Sequence, residues 1–149
     1  MDTIELKVEA IALDWKGEPV VVLREVGGHR AVFIWVGVLE VSAISFPLEK
    51  QTPPRPLTHD LLVRILQQLE AQVERVIISD MQEVTYYATL DLRTPTGVCS
   101  VDCRPVDGLA VALRTNAPVF IDSDLMERLG SMNQSPQITV VNTDEPTVH

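Results

Sequence analysis

Two polar segments, each containing a proline, interrupt an otherwise apolar sequence and constrain where its helices begin. They are RPLTHDLL at residues 55–62 and DCRPVDGLAVALR at residues 102–114. Thr58 is a residue type that caps helix N-termini, and Pro105 suits a first helical turn because proline has no N–H to leave unpaired. The pattern predicts helices over residues 59–71 and 105–114, with charged groups gathered at both starts.

The apolar residues outside these segments follow strand patterns. Residues 4–13 begin with alternating apolar and polar residues, whereas residues 20–23 and 31–36 are continuously apolar on either side of Gly27 and Gly28. Alternation is typical of a half-buried strand, and continuous runs are typical of strands covered on both faces by a helix or by another subunit. The predicted strands cover residues 4–13, 19–24, 30–36, 73–79, 85–92, 97–103 and 118–121. This order predicts an α+β fold with a mixed, mostly antiparallel sheet packed by the two main helices, and the covered strands favour a twofold dimer.

The length and composition favour one compact domain. A chain of 149 residues with 46% hydrophobic residues suits a single core. We place that domain at residues 1–129 and predict a flexible C-terminal tail at residues 130–149, because this segment is poor in apolar residues and is broken by Pro136 and Pro146. No apolar run approaches the roughly 20 residues of a membrane span, and the first residues lack a signal-peptide pattern. The sequence therefore predicts a cytoplasmic protein that does not enter membranes.

A third segment, IWVGVLEVSAI at residues 34–44, joins the segments at residues 55–62 and 102–114 to form a set of three motifs. In order and spacing, the three segments resemble the bifunctional nuclease domain (BFN) family of bacteria and plants, whose pattern reads approximately IWIGxxEAxAI, RPxTHDL, DxRPSDAIALALR and PIxV. The matching residues are Trp35, Gly37, Glu40, Ala43, Ile44, Arg55, Pro56, Thr58, His59, Asp60, Leu61, Asp102, Arg104, Pro105, Asp107, Ala110, Ala112, Leu113, Arg114 and Pro118. Two residues depart from the pattern. Val106 stands where serine is usual and Gly108 where alanine is usual, so any contribution of that serine to activity would be missing here.

The resemblance implies a nuclease. A member of this family is expected to hydrolyse phosphodiester bonds of DNA and RNA with a divalent cation, Mg²⁺ or Mn²⁺, and single-stranded DNA or RNA is the expected partner. The sequence does not indicate another common enzyme class, because it lacks the HExxH, GxSxG, P-loop and dinucleotide-binding motifs.

Three residues at the first predicted helix start are candidates for a site. His59 shares a helix flank with Leu62 and Leu66, which predicts a half-buried imidazole able to carry protons. Asp60 lies in the first turn, where a carboxylate favours the helix dipole. Arg55 precedes a proline, and its guanidinium is placed to reach a phosphate or to pair with Asp60. The residues alone leave open whether His59 is catalytic or a hydrogen-bonded structural histidine.

The second predicted helix start carries Arg104, Asp107 and Arg114 on one flank. At about 100° per residue these three fall within roughly a quarter-turn of each other, and Val106 and Leu109 face the opposite, core side. Two interpretations remain open. The helix is simply capped and lined by Arg–Asp pairs, or it presents an arginine-lined anion site with an acidic neighbour.

Glu40 is the only charged residue in residues 35–48. A carboxylate in such apolar sequence needs a partner, which an arginine (Arg104 or Arg114), a backbone N–H group or a metal ion would supply. Asp80 and Asp102 lie at predicted strand ends, and with Glu40 they form the predicted metal-ligand set. Carboxylates of this kind bind the divalent ions that position water and stabilise the leaving oxygen in phosphodiester hydrolysis.

These observations assign hypothetical roles to seven residues, and one fact opposes the assignment. The acid–base or metal groups are His59, Asp60, Asp107 and Glu40, and the phosphate contacts are Arg55, Arg104 and Arg114. The net charge of −9 argues against tight nucleic-acid binding, which normally rests on basic surface. The alternative is a non-catalytic oligomeric domain that binds a small anionic ligand or a protein partner. Arginines in an open groove beside carboxylates favour the enzyme, and arginines paired off in a closed core favour the scaffold.

Overall fold

The computed structural model describes residues 1–132 and 136–140. In this part of the chain an eight-stranded, mostly antiparallel open sheet is packed by helices, which confirms the predicted α+β fold. The strands are β1 (Thr3–Asp14), β2 (Pro19–Glu25), β3 (Ala31–Trp35), β4 (Gln72–Gln82), β5 (Thr85–Thr94), β6 (Gly97–Cys103), β7 (Val119–Asp122) and β8 (Ile138–Val140). The helices are α1 (Val41–Leu48, after a 3₁₀ turn at Val38–Glu40), α2 (Thr58–Gln68), α3 (Pro105–Thr115) and α4 (Ser123–Ser131). None of these helices is long and apolar enough to cross a membrane.

Two antiparallel meanders form the two halves of the sheet, and β7 joins them. The strand order is β3-β2-β1-β7-β4-β5-β6, and β8 pairs with the last residues of β1. β7 runs antiparallel to β1 and parallel to β4. The predicted antiparallel pair over residues 73–79 and 85–92 is confirmed as β4–β5, and the predicted hairpin at Gly27 and Gly28 is confirmed as the turn between β2 and β3.

α3 lies at the centre of the core and approaches the sheet closely. It buries Val106 and Leu109 over β4 and β5. A Cβ atom on Gly108 would lie 2.9 Å from a methyl carbon of Val76 and 3.2 Å from Cys103 Sγ, so an alanine here would press on the sheet. Both departures from the family pattern, Val106 and Gly108, are therefore packed into the core rather than placed at an open site.

α2 lies farther from the sheet than its apolar stripe suggests. It packs chiefly against α3, and among its residues only Val63 is buried. Leu61 is 53% exposed, Ile65 is 46% exposed and Leu69 is 67% exposed. α1, α3 and α4 all pack directly against strands of the sheet. The fold therefore leaves an apolar helix face at the surface.

β2 is buried along its first five residues, as its continuous apolar sequence predicted. One face joins the main core, and the other, around Val20 and Val22, is covered by Phe33 and Ile138. Ile138 belongs to β8, which lies inside the predicted tail, and α4 extends to Ser131, past the predicted boundary at residue 129. Most of residues 130–149 otherwise lies outside the described residues, so the flexible tail stays a prediction.

Candidate functional site

The starts of α2 and α3 meet at a hydrogen-bonded pair of side chains. His59 Nε2 lies 2.8 Å from Asp107 Oδ1, although 48 residues separate the two in sequence. Both side chains are partly buried, with 15% of His59 and 29% of Asp107 exposed. Because α2 packs against α3, the two polar segments of the sequence meet and both contribute to this pair.

Arg104 links this pair to Glu40. Its guanidinium donates from Nε to Asp107 Oδ2 at 2.8 Å and from Nη2 to Asp107 Oδ1 at 3.1 Å. Its Nη1 donates to Glu40 Oε1, and the backbone N–H of Gly37 donates to Glu40 Oε2 at 2.8 Å. We call Glu40, His59, Arg104 and Asp107 the Asp107 cluster.

The Asp107 cluster keeps its carboxylates ionised. Burial by itself raises the pKa of Asp107, but hydrogen bonds from Arg104 and His59 outweigh burial and hold that pKa below its ordinary value. The Gly37 N–H and the Arg104 guanidinium lower the pKa of Glu40. The two carboxylates, Asp107 first, in turn raise the pKa of Arg104. With His59 neutral, two carboxylates face one guanidinium, so one negative charge is left uncompensated.

The contact with Asp107 selects one tautomer of His59. An ionised carboxylate only accepts hydrogen bonds, so the Nε2 of a neutral His59 carries the proton and donates it to Asp107. Nδ1 is then the unprotonated nitrogen of the ring and carries its available lone pair. A proton taken up at Nδ1 creates an imidazolium that the Asp107 carboxylate stabilises, which is the arrangement a general base needs.

A second ion pair, more deeply buried, lies near the other end of α3. Arg114 Nε donates to Asp60 Oδ1 at 2.7 Å, and Nη1 donates to the carbonyls of Ala43 at 2.6 Å and Ala110 at 2.9 Å. The Arg114 side chain is only 8% exposed. Its Nη2 is buried without a hydrogen-bond acceptor among the described residues. Arg114 thus ties α1, α2 and α3 together from the inside.

Asp60 uses both carboxylate oxygens to fix the start of α2. Oδ1 accepts from Arg114, and Oδ2 accepts from the backbone N–H of Leu57 at 2.8 Å. Burial raises the pKa of Asp60, but Arg114 and the Leu57 N–H outweigh burial and lower it below its ordinary value. Leu57, rather than the predicted Thr58, occupies the N-cap position. Asp60 therefore holds the helical turn in which His59 lies.

Arg55 lines a cleft beside α2, and Arg114 lines the same cleft. The cleft has a volume of about 430 Å³ and lies between the end of α1, the proline-rich linker and α2. Arg64 also lines it, and sequence reasoning missed this residue. The available signal was its position on α2, one helical turn after the carboxylate of Asp60. Of the three predicted phosphate contacts, Arg55 and Arg114 share this cleft, whereas Arg104 lies in the separate Asp107 cluster.

The structure does not gather the predicted metal ligands. Asp80, near the end of β4, accepts a hydrogen bond from Arg128 Nη2 of α4 at 2.9 Å. Asp102 lies in β6 next to Cys103, whose Sγ faces Gly108 of α3, so the alternation of side chains along the strand turns Asp102 to the opposite face of the sheet, away from Glu40. Across residues 1–132 and 136–140, no group of three or more His, Cys, Asp or Glu side chains is placed to hold a metal ion.

A smaller donor set is available for a divalent cation. Glu40 and Asp107 are the two carboxylates that share the Arg104 guanidinium, and together they outnumber its positive charge. Mg²⁺ is commonly held by one or two carboxylates together with water and substrate phosphates. In donor type and charge, the Glu40 and Asp107 carboxylates therefore suit a divalent cation, which would take the place that the Arg104 guanidinium occupies between them.

Comparison with known proteins identifies a family whose matched region contains these residues. Residues 21–134 match the family model of the bifunctional nuclease domain. Two uncharacterized proteins from two strains of Mycobacterium tuberculosis are each 34% identical to this chain over 146 residues, and each match covers 95% of this chain and 87% of the relative. The Asp107 cluster and the cleft beside α2 both lie inside the matched region.

Proposed function

The chain belongs to the bifunctional nuclease domain family, and from this premise we propose that it hydrolyses phosphodiester bonds of DNA and RNA with a divalent cation. The observation that supports a site for this reaction is the hydrogen bond of 2.8 Å between His59 and Asp107. This hydrogen bond orients the His59 imidazole against the Asp107 carboxylate, which is also bonded to the exposed Arg104 guanidinium. The three groups lie where the starts of α2 and α3 meet.

In the proposed reaction His59 is the general base. Its Nδ1 takes a proton from an attacking water molecule, while Asp107 holds the opposite ring N–H and stabilises the imidazolium. Arg104, whose side chain is 61% exposed, contacts the phosphate oxygens as negative charge develops on them. The water oxygen forms the new P–O bond, the P–O bond to the leaving oxygen breaks, and that oxygen takes a proton from solvent while His59 returns its proton to solvent. Because water attacks rather than a ribose 2′-hydroxyl, the same site serves both DNA and RNA.

Two further predicted site residues, Glu40 and Asp60, are proposed to support this centre. A bound divalent cation would be held by Glu40 and Asp107 and would neutralise charge on the phosphate. Asp60 is proposed as a positioning residue, because it fixes the first turn of α2 and so the direction of His59. Asp80 and Asp102 lie outside the cluster and take no part in the proposal.

We further propose a homodimer that acts in the cytoplasm on single-stranded DNA or RNA. The exposed apolar face formed by Leu61 and Ile65 of α2 and by Leu69 just after it supports self-association because a second copy would remove it from water. Light scattering after size-exclusion chromatography tests this. We expect a wild-type dimer, a monomeric Ile65→Asp variant and an unchanged Val84→Asp control, since Val84 is 90% exposed in the β4–β5 turn. A monomeric wild type at high protein concentration contradicts the proposal.

One observation favours the alternative, a non-catalytic domain that binds an anion or a protein. Every carboxylate oxygen of Glu40 and Asp107 already accepts a hydrogen bond within the protein. A purely structural network would show the same pairing, and the net charge of −9 fits a domain without nucleic-acid affinity. The nuclease and the binding domain predict different effects of removing His59. Loss of a structural histidine lowers the free energy of unfolding, whereas loss of a general base lowers the cleavage rate.

The deciding experiment is a cleavage assay on single-stranded DNA and RNA in Mg²⁺, Mn²⁺ or EDTA. The informative variants are His59→Gln and Asp107→Asn. Their matched controls are His29→Gln, at an exposed histidine in the β2–β3 turn, and Asp124→Asn, at an exposed carboxylate in the first turn of α4. Circular dichroism and thermal melts establish that all four variants are folded.

The expected result is cation-dependent cleavage that falls by about a hundredfold or more in both cluster variants and persists in both controls, since general-base catalysis typically contributes that much. Equal activity in His59→Gln and wild type would point to a contaminating nuclease or to a different site. A complete absence of cleavage in wild type, with every protein folded, would support the binding domain instead.

A further inference from the structure

The two arginines that have no carboxylate partner among the described residues line the same cleft. Seven of the nine arginines in the sequence form salt bridges in the described part of the chain, namely Arg24, Arg30, Arg75, Arg93, Arg104, Arg114 and Arg128. Arg55 and Arg64 form neither a salt bridge nor a side-chain hydrogen bond with any described residue, and both line the cleft beside α2. In a chain with a net charge of −9, this convergence marks a local positive site.

Arg114 adds a buried donor to the same cleft. Its side chain is 8% exposed, and its Nη2 has no acceptor among the described residues although Nε and Nη1 are both bonded. A buried N–H group without an acceptor is unfavourable, and because Arg114 also lines the cleft, an oxyanion that enters deeply enough to reach Nη2 would supply the missing acceptor. Three guanidinium groups then face the single carboxylate of Asp60, which leaves the cleft electropositive.

The remaining walls of the cleft suit a ligand that carries a planar ring as well as an anionic group. Phe46, Pro47, Pro53 and Pro54 give flat apolar surface, and Gln67 gives an amide. The volume of about 430 Å³ falls in the range of small-molecule sites. Guanidinium groups recognise phosphate oxygens with fixed geometry, and flat apolar side chains suit a planar ring.

We propose that this cleft binds the phosphate group of a nucleotide-sized ligand, independently of the Asp107 cluster. Arg55 and Arg64 contact the phosphate oxygens, Arg114 supports them from the buried side, and the proline-rich wall contacts the base. The ligand is a free nucleotide or the phosphorylated terminal nucleotide of a strand, since both present the same chemistry. Binding in this cleft requires no cleavage, so it goes beyond the proposed nuclease reaction.

The test is isothermal titration calorimetry in EDTA, which stops cation-dependent cleavage. The probes are inorganic phosphate, adenosine monophosphate, and a trinucleotide with and without a 5′-phosphate. The informative variant is Arg55→Gln/Arg64→Gln. Its matched control is Lys7→Gln/Lys16→Gln, which makes the same change in net charge at two exposed lysines outside the cleft.

We expect wild type to bind a phosphate probe, the arginine pair to weaken binding by at least about tenfold, and the lysine pair to leave it unchanged. Adenosine monophosphate binding alone identifies a free nucleotide, and binding of only the phosphorylated trinucleotide identifies a strand end. Asp107→Asn should retain full affinity, which separates this proposal from the nuclease proposal. No binding of any probe by wild type, or equal weakening in both double variants, overturns the proposal.

Discussion

Arg104 and Arg114 stand near opposite ends of α3, and the same sequence segment supplies both, yet their surroundings differ. Arg104 is 61% exposed and is shared by two carboxylates, Glu40 and Asp107. Arg114 is 8% exposed and is held by one carboxylate and two backbone carbonyls. Water screens the first set of contacts and is excluded from the second. Two arginines of one family motif therefore lie in opposite environments, one open to solvent and the other closed to it.

The comparison predicts its largest effect for removal of the buried guanidinium. Arg114→Gln leaves Asp60 partly buried without its partner and opens the junction of α1, α2 and α3. We expect a loss of about 3–5 kcal/mol in the free energy of unfolding, as for one-sided removal of buried pairs. Urea titration followed by circular dichroism measures this loss. If Arg104→Gln destabilised the protein equally, burial would not be what distinguishes the two arginines.

A second prediction concerns the close packing of α3 between these two ends. Gly108→Ala places a methyl group 2.9 Å from a Val76 carbon, so we expect overpacking to cost about 1–3 kcal/mol. Gly130→Ala in α4 is the matched control, because its added methyl group meets no atom within 4 Å and gains helix propensity. The difference in unfolding free energy between the two variants measures the strain. A Gly108→Ala protein as stable as the control would mean that α3 can move off the sheet without cost.

The fold was predictable to the extent that local pattern decided it. The continuous apolar run of β2, the β4–β5 pair and the proline-started α3 all follow from residue spacing and turn chemistry. The position of α2 could not be predicted from the sequence, because an apolar stripe at helical spacing does not indicate which surface, if any, covers that stripe. Leu61 and Ile65 show the pattern of a core face and lie exposed.

The candidate site was predictable in its residue types and less so in its grouping. The sequence offered His59 and Asp107 as candidates, but only the crossing of α2 over α3 puts them 2.8 Å apart. It also offered Asp80 as a ligand with Glu40, whereas the packing of α4 against β4 brings Arg128 to Asp80. Arg64 was overlooked because a charge on an exposed helix flank is ordinary until a cleft forms beside it.

A third prediction uses the pH dependence of the two ion pairs. The pKa values of Asp60 and Asp107 lie below the ordinary 3.8, so their stabilising contributions are present above that pH and are lost as pH falls through the folded-state values. We expect the free energy of unfolding to fall from about pH 5 downward, and Asp60→Asn to flatten this fall more than Asp107→Asn does, because Arg114 is shielded from water. Urea midpoints across a pH series, with Asp124→Asn as the control, measure the difference. An equal flattening in both variants would place the two ion pairs in equivalent environments.

The smallest expected effect on stability belongs to Arg104, and it gives the sharpest test of function. Because its side chain is 61% exposed, Arg104→Gln should change the free energy of unfolding by less than about 1 kcal/mol. If Arg104 contacts the phosphate in the transition state, the same variant loses about a hundredfold in cleavage rate. Arg128→Gln is the matched control, since Arg128 is 54% exposed and also paired with an aspartate, Asp80, and it should affect neither quantity appreciably. A stable Arg104→Gln protein that cleaves at the wild-type rate would make Arg104, like Arg114, a structural residue, and the contrast between the two ends of α3 would then be one of exposure alone.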